Sequence, residues 1–148
     1  MAADIRGLVV VGCSKEKTVT SRPVPALDLY QGWCVPALRH RLAPASPERT
    51  RVLVLSAHYG LVTADAPLLT YEQPMTPARA QALREPVRQA LAEHLAAHPA
   101  DEALLLLAPD YLDVLGPLPL DVVHTITDPI THLDAVHRVL DSWSWPCP

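Results

Sequence analysis

Four short runs of apolar residues lie along the chain, and within each run the apolar positions do not alternate with polar ones. Continuous apolar runs of this kind are typical of strands that are buried on both faces of a sheet. The runs cover residues 7–12, 51–55, 103–107 and 121–126. We therefore expect four buried strands.

Helical patterns fill the segments between these runs. The first covers residues 27–42, although Gly32 and Pro36 interrupt it and can split it. Three more helices are predicted: from residue 76 to residue 95, over residues 110–115, and from residue 128 onward with Ile130 turned towards the core. Alternating strands and helices predict an α/β fold. We expect a single three-layer domain over residues 1–148, with a mostly parallel sheet of about four strands and helices on both faces.

Composition and charge exclude several classes of protein. With 49% hydrophobic and 19% charged residues, the chain is typical of a globular domain, and no apolar run is long enough to cross a membrane. A net charge of −4 argues against broad electrostatic binding of nucleic acid, although a local basic site could still contact it. The three cysteines are far apart and form no disulfide framework, so a reducing cytoplasm is the expected location. We expect no metal site, because no histidine pair has metal-ligand spacing of note and the cysteines form no paired-ligand zinc knuckle. We also expect no cofactor.

The lysines are unusual in their number and position. Lys15 and Lys17 are the only two in the chain, against ten arginines, and they lie within three positions of each other. An ammonium group is a compact donor, whereas a guanidinium is a planar fork that stays charged. The pair therefore suggests a site that needs an ammonium group.

Polar residues are concentrated directly after the first and second predicted strands, where an open parallel sheet binds its ligands. The longest stretch without periodicity, residues 57–75, follows the second strand, and loops of that length are usually functional. The residues that we expect to bind substrate are Cys13, Ser14, Lys15, Tyr30, Gly32, Ser56, His58, Tyr59, Gly60 and Tyr71. Glu72, Asp65 and Lys17 are the candidate catalytic residues.

Each candidate also has a simpler structural explanation. Cys13 can be a small buried apolar residue rather than a reactive thiolate, and the serines can satisfy loop backbone. The tyrosines can pack with one end in water, and the glycines can relieve backbone strain. The segment around Ser56 lacks the glycine pattern of a hydrolase nucleophile, and residues 12–17 lack the spacing of a phosphate-binding loop.

The ordered motifs resemble known families. They are C-S-x-x-K at residues 13–17, L-Y-x-G at 29–32, S-A-x-Y-G-L-V at 56–62 and, after Asp65, Y-E-x-x-M at 71–75. Together they resemble a domain of unknown function from actinobacteria and phages, and they are similar to the peroxide-stress family YaaA. A weaker resemblance, through the Cys13 and Lys17 spacing, is to the lysine-adding domain of archaeosine synthase. Thr70 and Glu72 stand where the YaaA pattern has proline and arginine.

The resemblance implies an α/β domain that is connected with nucleobases, nucleotides or damaged nucleic acid. Our first hypothesis is an enzyme that cleaves or transfers an N-glycosidic bond of a nucleobase, nucleoside or nucleotide. In it the lysines bind phosphate or developing negative charge, Tyr59 or Tyr71 contacts the base, and Glu72 or Asp65 is the base or nucleophile. The alternative is a binding module of the oxidative-stress type, without catalysis, for a nucleotide or damaged nucleic acid.

Overall fold

The computed structural model describes residues 7–147, in which strands and helices alternate; residues 1–6 and 148 of the predicted domain lie outside this range. The strands are β1 (Gly7–Gly12), β2 (Val24–Pro25), β3 (Val52–Ser56), β4 (Gly60–Thr63), β5 (Pro67–Leu68), β6 (Glu102–Leu106) and β7 (Val122–Thr125). The helices are α1 (Ala26–Leu29), α2 (Val35–Arg41), α3 (Pro77–Ala97), α4 (Pro109–Leu115) and α5 (Leu133–Ser142), with a 3-10 helix at Pro47–Arg51. Among the described helices, none is both long enough and apolar enough to span a membrane.

The main sheet has five strands in the order β4-β3-β1-β6-β7. The four strands predicted from the apolar runs are all present, and β1 pairs in parallel with β3 and β6, as β6 does with β7. The prediction of about four strands is wrong by one, because β4 folds back and pairs antiparallel with β3. Gly60 begins β4 at φ +81°, a left-handed conformation that favours glycine and allows the tight reversal. The result is a single α/β domain with a mixed sheet.

Both faces of the sheet are covered, which explains why the strand sequences do not alternate. Val9 and Val11 of β1 belong to a core that also includes residues of α1, α2 and α5. Leu8 and Val10 belong to a second core on the other face, with residues of α3 and α4. Successive side chains of a strand point to opposite faces, so a strand between two helical layers must be apolar throughout.

The carboxyl-terminal part of the sheet differs from its prediction in two places. Val122 and Val123 of β7 are 39% and 38% exposed, so burial on both faces is wrong for this strand. The reason is its position at the edge, where it pairs with β6. The last helix begins at Leu133 rather than at residue 128, because residues 129–132 form a turn whose Thr131 N–H donates to the Asp128 carboxylate. Ile130, expected in the core, lies on this turn and is 61% exposed.

The first predicted helix is split, as Gly32 and Pro36 suggested, into α1 and α2. Between them Trp33 has φ +57°, which is strained for a bulky residue. The Trp33 indole N–H donates to the carbonyl of Leu106 at the end of β6 (2.8 Å). This hydrogen bond places the indole at the edge of the sheet where the parallel strands end.

Candidate functional site

The site lies where the chain leaves β1 and β6 in opposite directions. After β1 the chain continues to α1 and α2 on one face of the sheet, and after β6 it continues to α4 on the other. Ligands of open α/β sheets bind in the crevice that such a divergence creates at the carboxyl ends of the strands. Cys13, directly after β1, and Tyr111, in α4, face each other across this crevice with Sγ and the phenol oxygen 3.2 Å apart.

Three hydroxyl groups form a buried chain of hydrogen bonds beside the crevice. Ser56 Oγ accepts the backbone N–H groups of His58 (3.1 Å) and Tyr59 (3.0 Å). Both lone pairs of Ser56 Oγ are then occupied, so its hydrogen is donated to the Tyr71 hydroxyl, 2.8 Å away. The Tyr71 hydroxyl also forms a hydrogen bond with the Tyr30 hydroxyl across 2.8 Å, in which either oxygen can be the donor. The chain of hydrogen bonds therefore links Ser56, Tyr71 and Tyr30.

The phenols of this region stay neutral at ordinary pH. Burial raises the pKa of Tyr30 to about 12. Burial likewise raises the pKa of Tyr71 and of Tyr111, with a further contribution from the nearby Cys13 sulfur. A neutral phenol can donate a hydrogen bond but does not act as a base, so the three tyrosines serve as hydrogen-bonding groups rather than as bases.

Lys17 is fixed by backbone and aromatic contacts. Its backbone forms an isolated antiparallel bridge with Tyr30, and its Nζ lies 4.5 Å from the centre of the Tyr71 ring. An ammonium group over an aromatic face is attracted by the ring quadrupole. Nζ also donates to the Lys15 carbonyl (3.2 Å), which uses one of its three hydrogens. The remaining donors are free to bind an anionic ligand.

A pocket of about 390 Å³ is lined by residues from these elements, and its volume falls in the range of small-molecule sites. Its lining comprises Cys13, Ser14, Lys15, Lys17, Glu72, Gln73, Pro74 and Tyr111. Two ammonium groups, a carboxylate, a thiol and a phenol therefore share one cavity. We call this cavity the lysine pocket.

Several predicted residues fix the loops around the lysine pocket, and of these only Ser14 also lines it. Ser14 Oγ donates to the Glu16 carbonyl and accepts the Gly32 N–H, which fixes the loop after β1. A side chain at Gly32 would collide with the Glu16 carboxylate. The Tyr59 hydroxyl donates to the Leu69 carbonyl and accepts the Leu69 N–H, so it holds the loop.

The aromatic rings after β3 form one cluster with Tyr71. The His58 ring stacks on Tyr71 with centroids 4.8 Å apart, and the Tyr59 ring meets Tyr71 edge-on at 5.2 Å. Lys17 contacts the same Tyr71 ring. The loops after β1 and β3 therefore meet on one side of the molecule, as the parallel sheet predicts.

The structure does not bring Asp65 or Gly60 to the lysine pocket. Because β4 runs antiparallel, the chain returns to the start of β3, where the Ala64 N–H donates to the Val52 carbonyl. Asp65 follows and pairs with the buried Arg49 guanidinium at 2.6 Å, at the end of the sheet away from the pocket. A side chain at Gly60 would face Leu83 and Val87 of α3.

Sequence reasoning missed Tyr111 and Trp33. Tyr111 lies just after the third predicted strand, which is another carboxyl end, and that position is a signal that could have identified it. Trp33 lies in the interrupted part of the first predicted helix, and nothing in its neighbourhood signals that the indole reaches the end of β6.

Residues 8–140 match the model of a family of unknown function, DUF6884, and the chain belongs to that family. No curated protein matches the chain. The similarity to YaaA and to archaeosine synthase stays a hypothesis.

Proposed function

We propose that this protein is an enzyme that cleaves or transfers the N-glycosidic bond of a nucleoside or nucleotide in the lysine pocket. The observation that supports this proposal is that Glu72 lines the same cavity as Lys15 and Lys17, at the divergence of β1 and β6. A nucleotide presents an anionic phosphate and an electrophilic glycosidic carbon. Two ammonium groups and a carboxylate match these two features.

The lysines bind the anionic part of the substrate. Lys15 is exposed, and Lys17 is held against the Tyr71 ring with hydrogens left for a ligand. Ammonium groups positioned before the substrate arrives stabilise negative charge without reorganisation during the reaction. The cation–π contact keeps the Lys17 ammonium in one place.

Glu72 carries out the chemical step at the glycosidic carbon. Its carboxylate either removes a proton from the attacking water or acceptor, or attacks the carbon itself and forms an ester that water or an acceptor then resolves. In both routes the bond from this carbon to the base nitrogen breaks, and the base leaves with the bonding electrons and takes up a proton from solvent. Glu72 is exposed at the pocket wall, beside Gln73 and directly after Tyr71. The buried hydroxyl chain that fixes Tyr71 therefore fixes the backbone next to Glu72.

The decisive experiment replaces Glu72 by glutamine. Glu72→Gln preserves shape and removes the carboxylate charge, so single-turnover release of the base should fall by roughly 10²- to 10⁴-fold while nucleotide affinity changes little. The matched control is Glu85→Gln, the same change at an exposed position of α3. The control should leave both turnover and affinity unchanged.

The results also separate the enzyme from the alternative. Equal turnover in Glu72→Gln and in the unmutated protein would remove Glu72 from catalysis. Nucleotide binding without release or transfer of any base by the unmutated protein would favour the binding module.

A further inference from the structure

A second pocket adjoins the lysine pocket, and the roles proposed above for Glu72 and the lysines do not involve it. It has a volume of about 550 Å³ and shares Cys13, Ser14 and Lys15 with the first. Trp33, Ile130 and Glu16 also line it. The two cavities therefore border the same loop after β1. We call the second cavity the tryptophan pocket.

Trp33 is held in this pocket by a strained backbone and one directional bond. Its φ of +57° is unfavourable for a bulky side chain, and strained residues persist where the surrounding structure fixes them, often at ligand sites. The indole N–H is already donated to the Leu106 carbonyl. The ring can therefore offer apolar surface to a ligand while its polar atom stays satisfied.

Ile130 also lines the tryptophan pocket, and it is unusually exposed for a large apolar residue. It is 61% exposed, on the turn that follows β7, although its sequence environment predicted a core position. The connection between α1 and α2 and the turn after β7 thus bring an indole and an aliphatic side chain to the same cavity. Such a cavity suits a flat, apolar ring system.

We propose that the tryptophan pocket binds the nucleobase of the substrate. This proposal rests on the proposed function. The base lies between the Trp33 indole and Ile130, and the shared loop of Cys13 to Lys15 directs its sugar and phosphate into the lysine pocket. The Glu16 carboxylate, at the wall of the tryptophan pocket, accepts an N–H group from the edge of the base. Trp33, Ile130 and Glu16 are then residues that determine specificity.

The experiment follows the three indole N–H resonances by NMR while AMP, GMP, CMP, UMP or ribose 5-phosphate is added. Trp143 packs against Gly7 at the opposite end of β1, and Trp145 packs beside Trp143, so both serve as internal controls. At least one nucleotide should shift the Trp33 resonance and leave the other two in place. Ribose 5-phosphate, which lacks the base, should leave Trp33 unshifted.

A variant makes the test quantitative. Ile130→Ala should weaken that nucleotide roughly tenfold and leave the affinity for ribose 5-phosphate unchanged, because only the base contacts Ile130. The control is Val19→Ala, an aliphatic truncation at a side chain that is 92% exposed. Ile130 is also exposed, so its truncation is compatible with folding.

Each outcome separates this proposal from the proposed function. A Trp33 shift and an Ile130 effect without turnover would support the base site and contradict the enzyme. Turnover of a nucleotide that neither shifts Trp33 nor responds to Ile130→Ala would support the enzyme and overturn the base site. Absence of any Trp33 shift with all four nucleotides would overturn the base site whatever the activity.

Discussion

Two polar regions lie at opposite ends of the sheet, and their charged side chains differ in burial and in hydrogen-bond partners. At the start of β3, the buried Arg49 guanidinium donates twice to Asp65 (2.6 and 3.0 Å) and once to the Leu42 carbonyl. At the other end, the Lys17 ammonium donates to one backbone carbonyl, and Glu72 is exposed at the wall of the same pocket.

This difference separates a stabilising role from a binding role. A buried charge must be paired, because its desolvation is otherwise too costly, and Arg49 satisfies that requirement within the protein. The charges of the lysine pocket keep part of their hydrogen-bonding capacity for another molecule. Changes at Arg49 should therefore affect stability, and changes at Lys17 should affect ligand binding.

The largest effect is expected from Arg49→Ala. Removing the buried guanidinium abolishes three hydrogen bonds, leaves the Leu42 carbonyl without this donor and creates a cavity, so the free energy of unfolding should fall by about 2 to 4 kcal/mol. Urea denaturation measures this change. The control is Arg84→Ala, which breaks an exposed pair with Asp113 and should cost at most about 1 kcal/mol. Similar losses in both variants would contradict the assignment of Arg49 to stability.

An intermediate effect is expected from alkaline pH. The pKa of folded Tyr30 is about 12, whereas that of an unfolded tyrosine is about 10, so the unfolded state loses its proton first. The contribution of neutral Tyr30 to the free energy of unfolding is fully present below about pH 10 and is lost as the pH rises towards 12. We expect a loss of about 1 kcal/mol from this group between about pH 9 and pH 11, and Tyr71 and Tyr111 add in the same direction.

Urea denaturation at both pH values measures this loss, with Tyr30→Phe as the control. The variant has no hydroxyl at position 30 to titrate, so its stability should fall less steeply over the same interval. An identical slope in the two proteins would show that Tyr30 is not the source.

The smallest effect is expected at Lys17 and should leave stability unchanged. Lys17→Ala should weaken the affinity for a nucleotide or ribose 5-phosphate about fivefold, because one hydrogen bond at a partly solvent-exposed site, worth about 1 kcal/mol, is lost. Lys17→Arg should restore only part of this, since a planar guanidinium does not occupy the position of the compact ammonium. Calorimetric titration measures both. Full restoration by arginine would mean that charge alone is required.

The sequence was sufficient to predict the parallel part of the sheet and the meeting of its two polar loops. Continuous apolar runs identify strands buried on both faces, and the carboxyl ends of parallel strands share one edge. The fifth strand was not predicted because residues 60–63 are too few to show a period. That reversal also explains why Asp65 lies far from Tyr71, although only six positions separate them in the chain.

Contacts over long chain distances were beyond such reasoning. Tyr111 lies in α4, shortly after a strand end that the sequence does indicate, and Trp33 lies in an irregular connection. The contacts of Tyr111 with Cys13 and of Trp33 with Leu106 depend on the relative position of strands that are distant in sequence. Local patterns contain no information about which strands become neighbours. The strand order β3-β1-β6 of the folded sheet supplies that information.

The contact between Cys13 and Tyr111 has a consequence for how the protein acquires its site during folding. The two residues are 98 positions apart, whereas the hydrogen bond between Ser56 and Tyr71 spans 15. Closing a long loop carries a greater entropic cost than closing a short one, so the local hairpin and the hydrogen bond between Ser56 and Tyr71 can form before the crevice does. During synthesis on a ribosome, the lysine pocket is complete only after α4, which contains Tyr111, has emerged. The nascent chain would therefore pass through a stage that has a partly formed sheet and no binding site.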